Sequence, residues 1–404
     1  MSTSTLNLDE VRGSFPALKS DQIFLDNAGG SQVLGTVVDR IRDYLINSNV
    51  QIGASYPVGK ASTNRFREGY AAAAKYINAS PEEIVLGAST TQLFRNLSSA
   101  LTFQEGDELV LSTLDHEANI ASWVDLAERQ KLVVKWWGVA DAPGSSTNPK
   151  LTLDTLRPLL GPRTRLVACT HASNILGTIH DVKAIAEAAH AHDPHVLVCV
   201  DAVAYAPHRK IDVKDLGVDF YCFSWYKVYG PHISQLYASP NGRAQVRSLG
   251  HFFNPSNTLQ EKLGLAGSCY ELVSSLPAVP EYLTGKWDGI VQQETVLQET
   301  LLQFLTSRKD VTIWGEPRSD PSLRVPTISF TVAGWSSREL VETVEKETNL
   351  GFRYGSFYSV RLIKDVLGLS IEDGIVRTSM VHYNTVDEVK ALVAGLDKAL
   401  SQKK

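Results

Sequence analysis

Lys227 stands in "FSWYKVYGPH", directly behind an apolar run, "VDFYCFSW", that reads as a buried strand. A cation carried to the end of a core strand loses hydration, which lowers its pKa and frees an amine able to form a Schiff base with an aldehyde. Other polar residues follow apolar runs in the same way: Asp201 after "HVLVCV", Asn174 after "RLVACTHAS", and His116 after "DELVLSTLD". The turn "GASTTQ" follows "EIVL" and sets Ser89, Thr90 and Thr91 at a helix start. Taken singly, each has an ordinary structural reading. A strand-end Asp caps a helix or serves a turn, roughly three times as often as it does chemistry. His116 alone would be a packed or surface histidine, Asn174 a turn residue, the hydroxyls N-caps, and Lys227 a snorkelling side chain. Taken together they suit pyridoxal 5'-phosphate (PLP). Lys227 supplies the amine and Asp201 the acid partner of the pyridinium nitrogen. Thr90 and Thr91 offer phosphate donors at a helix N-terminus, with Ser224 and Tyr226 flanking the lysine as further donors.

Residues at strand ends converge only if the strands share a sheet, and in open parallel sheets the ligand lies beyond the carboxyl ends of the strands. From about residue 83 the chain alternates short apolar runs with amphipathic segments: "EIVLG", "TTQLFRNLSSAL", "DELVLS", "EANIASWVDLAERQ", "LVVKWW". The rhythm continues through "TRLVACTH", "VKAIAEAAHAH", "HVLVCVDA" and "VDFYCFSW". That alternation predicts βα units in a mostly parallel sheet flanked by helices, an α/β fold. After Leu249 a loop-like stretch leads into a helical one, "YLTGKWDGIVQQETVLQETLLQFLTSR", then strands "RVPTISFTV" and "GIVRTSM" with helices "SRELVETVEKE" and "VDEVKALVAGLDKAL". The expected division is a large α/β domain over 15–255 and a smaller α+β domain over 256–404, joined by residues 1–14. "ADAPGSSTNPK" at 140–150 reads as a surface loop.

Bulk composition narrows the function classes. A net charge of −5 with no basic run gives no attraction for nucleic acid or anionic membrane, so a small molecule is the expected partner. No apolar run approaches the length that spans a bilayer, and "MSTSTLNLDEVRG" has neither the basic nor the apolar region of a secretory signal. Cys169, Cys199, Cys222 and Cys269 show no metal-ligand spacing, and no metal is expected. Reduced thiols in a cytoplasmic protein, packing in strands, are the expectation.

The series "FLDNAGG", "GASTTQLFRNL", "DHEAN", "THASNILGT", "VDAVAYAPH", "FSWYKVYGP" and "VRTSMVHYNT" resembles the class V aminotransferase family, which includes cysteine desulfurases and isopenicillin-N epimerase-like proteins. It covers nearly the whole chain in matching order and is also similar to PLP enzymes of fungal loline-type alkaloid pathways. The resemblance implies a fold-type I PLP-dependent transferase and gives each position a role. Lys227 would hold the internal aldimine, Asp201 pair with the ring nitrogen, His116 stack on the ring, and Asn174 sit by the phenolic oxygen. Thr90, Thr91, Ser224 and Tyr226 would surround the phosphate, and Ser268 in "LAGS" would reach the phosphate of a partner subunit in a homodimer. Asn27 would line the substrate side, and Arg377 would fork the substrate α-carboxylate.

Two positions depart from the family. Tyr226 stands where a histidine commonly precedes the lysine. In "RYGSFY", Arg353 to Tyr358, Tyr358 replaces the cysteine whose thiolate takes sulfur in desulfurases, and a phenol cannot form a persulfide. Arg353 and Tyr358 are therefore expected beside the substrate without sulfur chemistry. The implied activity is that of a PLP-dependent lyase or transferase acting on an amino acid through a quinonoid intermediate, in secondary metabolism. Mannich-type carbon–carbon cyclisation and Cβ or C–S elimination stand level. Epimerisation or transamination of an amino acid is the alternative, and a PLP-binding regulator without turnover is the rival from another class. A sulfur-transfer role for Cys269 is a further rival.

Overall fold

The computed structural model describes residues 6–138 and 142–402; the first five residues of the expected N-terminal extension and the start of the 140–150 loop, Ala140 and Asp141, lie outside the described residues. In chain order the strands are β1 (Ile23–Phe24), β2 (Ile84–Gly87), β3 (Glu108–Ser112), β4 (Val133–Trp137), β5 (Thr164–Thr170), β6 (Leu197–Asp201), β7 (Phe220–Ser224), β8 (Ser234–Ala238), β9 (Val311–Trp314), β10 (Thr327–Val332), β11 (Leu350–Gly351), β12 (Arg353–Gly355) and β13 (Ile375–Ser379).

The main sheet has seven strands in the order β2-β8-β7-β6-β5-β3-β4. Its near-continuous apolar strands are buried on both faces, as parallel sheets require. Side-chain alternation sends Val198 and Val200 of β6, Val167 and Cys169 of β5, and Tyr221 and Phe223 of β7 into one apolar cluster. Leu197, Cys199, Leu166, Ala168, Phe220 and Cys222 enter the cluster on the opposite face. All pairings are parallel except those of β8, which runs antiparallel to both β7 and β2. The sequence reading did not foresee β8. The link from β7 to β8 is a single 3-10 turn, Trp225–Lys227, and a short loop, too short for a crossover, so the chain reverses. Lys227 sits on that reversal.

The C-terminal part forms a four-stranded antiparallel sheet, β12-β13-β10-β9, packed on the helices Trp287–Ser307, Ser337–Glu347 and Val386–Gln402 around their own apolar cluster. The expected single helix from Tyr282 is two helices, Ala278–Leu283 and Trp287–Ser307, because Gly285 between them takes φ +75°. Helices Gly35–Asn47 and Pro57–Tyr76, also unforeseen, pack against Tyr270–Ser275.

Contacts between the N-terminal residues and the C-terminal part run well past residue 14. Arg12 pairs with Glu388, and β1 pairs with β11. Among the described residues no helix is long and apolar enough to cross a membrane.

Candidate active site

The carboxyl ends of β5, β6 and β7 and the N-terminus of helix Thr90–Ala100 surround a cavity of about 100 Å³, partly open to solvent. Lys227, Asp201, His116, Asn174, Thr90, Thr91, Ser224 and Tyr226 all line it, with Ser89, Thr170 and Ala204. Eight candidate residues drawn from separate stretches thus meet in one space, for the topological reason that strand ends at a sheet's carboxyl edge face the same crevice.

Lys227 is 8% exposed, and its Nζ makes no hydrogen bond to any described residue. Burial, aided by Arg377 and opposed by Asp201 and Asp26, lowers its pKa from 10.5 to about 8. Asp201 ends β6, and its Oδ1 accepts from the Val203 N–H at 2.9 Å. Its other carboxylate oxygen accepts from no described residue, and burial raises its pKa to about 6. His116 Nδ1 accepts from the Ala118 N–H at 3.0 Å, which leaves Nε2 to carry the ring proton of the neutral imidazole. Burial, reinforced by Lys227 and Arg377, pushes its pKa down to about 4, so the ring is uncharged at neutral pH.

Opposite the lysine, Thr90 and Ser224 share a hydrogen bond of 2.8 Å, and Ser224 and Ser234 one of 2.7 Å. Ser234 opens β8, so the strand missing from the sequence reading completes a hydroxyl cluster. Its signal was a serine beside the reversal, invisible until β8 is placed. Ser89 spends its side chain capping Gln92 N–H at the helix start. Tyr226 lies flat on His232, ring centroids 4.8 Å apart, where a Cβ on Gly30 would come within 3.3 Å of the phenol ring.

Arg377, on β13, does not line the cavity but abuts it. It is 2% exposed; Nη1 donates to the Asn174 carbonyl at 3.1 Å and Nη2 to Asp26 Oδ1 at 2.8 Å. Phe357 covers the guanidinium, its ring centroid 3.7 Å from Cζ, and Nε has no partner among the described residues. Phe357 and Tyr358 both take positive φ, +48° and +59°, a costly backbone for residues with side chains. Four contacts hold them. Asn174 Nδ2 donates to Phe357 O, Ser359 Oγ donates to Asn174 Oδ1, Glu117 N–H donates to Tyr358 O, and Arg361 pairs with Glu117. Tyr358 is exposed at the cavity mouth, 5.4 Å from the His116 ring. Asp26 was not a candidate from sequence; "LDNAGG" holds it next to Asn27, and only the sheet contact shows which of the two meets the arginine.

Three candidates stand apart from the cavity. Asn27 is buried with its amide engaged by Phe24 O, Ser379 O and Asn384, and it lines the neighbouring groove instead. Arg353 is half-exposed in that groove, 3.4 Å from Asp26 Oδ2. Ser268 lines another cavity beside Cys269. Trp225 and Tyr229 are core residues and Phe252 is 99% exposed; among the described residues the Tyr226 phenol and the His116 imidazole are the rings on the cavity wall. Cys169, Cys199 and Cys222 are buried and their thiol pKa values rise with burial; Cys269 is exposed.

A lysine on the reversal after β7, an acid ending β6 and hydroxyls at a helix start, all on one mostly parallel sheet, define the fold-type I PLP transferase-like α/β class. The chain belongs to the class V aminotransferase family, whose profile, "Aminotransferase class-V", matches residues 23–392. It is 53% identical to "Aminotransferase-like protein FGM3" of Gibberella zeae over 99% of this chain and 100% of that protein. It is 42% identical to "Nonribosomal peptide synthetase-like enzyme fsqF" of Aspergillus fumigatus, over 96% of this chain but 26% of that protein. Among solved structures, the cysteine desulfurase CsdA of Escherichia coli matches with a TM-score of 0.85 at 25% identity, over 99% of this chain and 100% of that one.

Proposed function

We propose that the protein is a PLP-dependent enzyme of secondary metabolism that acts on an amino acid at the Lys227 cavity and forms no persulfide. The observation that carries the reading is the buried Lys227 amine, free of hydrogen bonds to the described residues and sharing a cavity with the open oxygen of Asp201. The residues fit the cofactor. Lys227 would bind it covalently, Asp201 would face its ring nitrogen, His116 and Ala204 its faces, and Thr90, Thr91, Ser224 and Tyr226 its phosphate. Once bound, PLP supplies an electron sink for negative charge at the substrate's α-carbon.

The chain's own groups do the rest. Lys227 would hold and return the proton of the substrate α-carbon, and its lowered pKa of about 8 keeps a useful share of it as free base near neutrality. Neutral His116 keeps a ring without charge against the reacting plane. Arg377 orients the substrate through its carboxylate. Reactions at the β-carbon follow, either carbon–carbon bond formation of the Mannich type or loss of a Cβ or sulfur substituent. The fsqF likeness supports a place in secondary metabolism.

Against desulfuration stand Tyr358 at the cysteine position and the lack of any described cysteine on the cavity wall. Incubation with L-cysteine should form no alanine and leave no alkylatable persulfide on the protein, and Cys269→Ala should behave as wild type. A persulfide on any cysteine would overturn this part. To identify the reaction, amino acids are screened for visible spectral change and products weighed by mass spectrometry. A keto acid without free ammonia would indicate transamination, a keto acid with ammonia elimination, and racemised substrate epimerisation.

A homodimer with Ser268 near the second site belongs to the same reading, supported by the exposed Phe252, Phe253 and Leu265 beside that loop. So does the division into domains over 15–255 and 256–404 with residues 1–14, for which the Arg12–Glu388 pair is support. A cytoplasmic location is supported by three buried, unpaired thiols.

A further inference from the structure

We propose that Asp26 is a specificity-determining residue that limits the acid end of the substrate to one carboxylate, so that monocarboxylic amino acids are accepted and dicarboxylic ones refused. The inference rests on the amino-acid reading above and adds the substrate class.

Asp26 bridges two cations. Its Oδ1 lies 2.8 Å from Arg377 Nη2 and its Oδ2 3.4 Å from Arg353 Nη1. Two positive charges and one negative leave a single positive charge, the complement of one carboxylate. Arg377 is also sterically committed: Nη1 is on the Asn174 carbonyl, Phe357 covers one face, and Nε is the nitrogen without a partner among the described residues. The Nε N–H, buried and without a partner among the described residues, is the donor left for one anion. A second substrate carboxylate would have to turn to Arg353, whose planar fork could otherwise receive it. There it meets Asp26 already in place, and Glu345, a second acid on the same groove wall. Like charges within a few ångströms repel, and the half-buried setting of Asp26 lets that repulsion persist at physiological salt.

The test titrates the PLP-loaded protein with L-alanine and L-aspartate and compares dissociation constants. Wild type should bind alanine the more tightly. Asp26→Asn, which keeps the side chain's size, should shift the ratio toward aspartate by roughly tenfold, the usual scale for one close charge. Asp26→Asn combined with Arg353→Gln should return most of the shift, because the freed cation is then gone. The thermal unfolding midpoint of each variant is the control for folding. Arg353→Gln alone should leave the wild-type ratio within about twofold, since its charge is already answered by Asp26. A wild type that prefers aspartate, an unmoved ratio in Asp26→Asn, or a collapse of aspartate binding in Arg353→Gln alone would each overturn the proposal. If wild type binds neither amino acid, the amino-acid reading falls instead.

Discussion

Lys227 combines two demands that pull against each other: it must be buried to reach the cofactor, and it must not carry a charge when it attacks. Burial resolves this by bringing its pKa from 10.5 to about 8. Asp201 opposes the shift and Arg377 aids it, so Asp201→Asn should lower the Lys227 midpoint and Arg377→Gln should raise it. The rate of reductive labelling of Lys227 against pH in apoprotein reads both. The shift is also a stability statement. Between about 8 and 10.5 the unfolded chain holds the proton that the native state has released, so this group's contribution to stability rises with pH across that window. Asp201, raised to about 6 from 3.8, has the opposite sense: the native state holds the extra proton, and its contribution is lost as pH climbs through that interval. Lys227→Ala should abolish both the yellow colour and borohydride fixation, with at least a thousandfold loss of turnover on the order expected for a covalent group. A variant to which borohydride still fixes the cofactor would show that another residue holds it.

At the scale of elements, two turns carry the site. The reversal after β7 places Lys227 and brings Ser234 against Ser224 and Thr90. Thr90→Val or Ser224→Ala should weaken PLP binding by about tenfold each while leaving the Lys227 linkage chemically possible, measured as cofactor release on dilution. The second turn, "SNILGT", runs between the main sheet and β10. Gly177 there has φ +68°, and a Cβ would fall 2.3 Å from the Thr327 carbonyl oxygen. Ser329 Oγ and Arg377 Nη1 both donate to carbonyls of this turn, at Ile175 and Asn174. Gly177→Ala should therefore cost roughly 2–4 kcal/mol by denaturant midpoint and loosen Arg377 as well. The order of apolar runs made the parallel core legible, since each strand carries its own periodicity. The strand β8 was not, because "SQLYA" is short and its direction depends on the length of the link behind it. The same holds for Gly285, which divides a stretch whose helical spacing runs on without interruption.

At the scale of the whole molecule, a buried ion cluster joins the parts. Glu294, wholly buried on helix Trp287–Ser307, meets His208 at 2.8 Å and Arg209 at 3.1 Å, both from the loop beyond β6, and Arg209 also reaches the Pro321 and Arg324 carbonyls. Removing one member strands a buried charge, so Arg209→Ala should cost about 3–5 kcal/mol in thermal or denaturant unfolding. Replacing Glu294 and its partners together by apolar residues should cost much less. The exposed Phe252 and Phe253 belong to this scale too. Phe253→Asp should move sedimentation toward the monomer and reduce turnover if the site is completed across a twofold interface. A dimer that persists unchanged would place the contact elsewhere.

By itself, the sequence determined the residues that meet. Lys227, Asp201, His116, Asn174 and the hydroxyls of Thr90, Thr91 and Ser224 were readable because each lies at the end of an apolar run, and strand ends in a parallel sheet share one edge. The tertiary structure alone decided which charges answer one another. Asp26 and Arg377 are joined only when the residues after β1 dock beside β13, and Phe357 reaches the guanidinium only through a backbone held in the left-handed region. Asn27, beside Asp26 in the chain, turned instead to Tyr383 and Asn384. Such pairings depend on distances between segments far apart in sequence, and local periodicity carries no record of them.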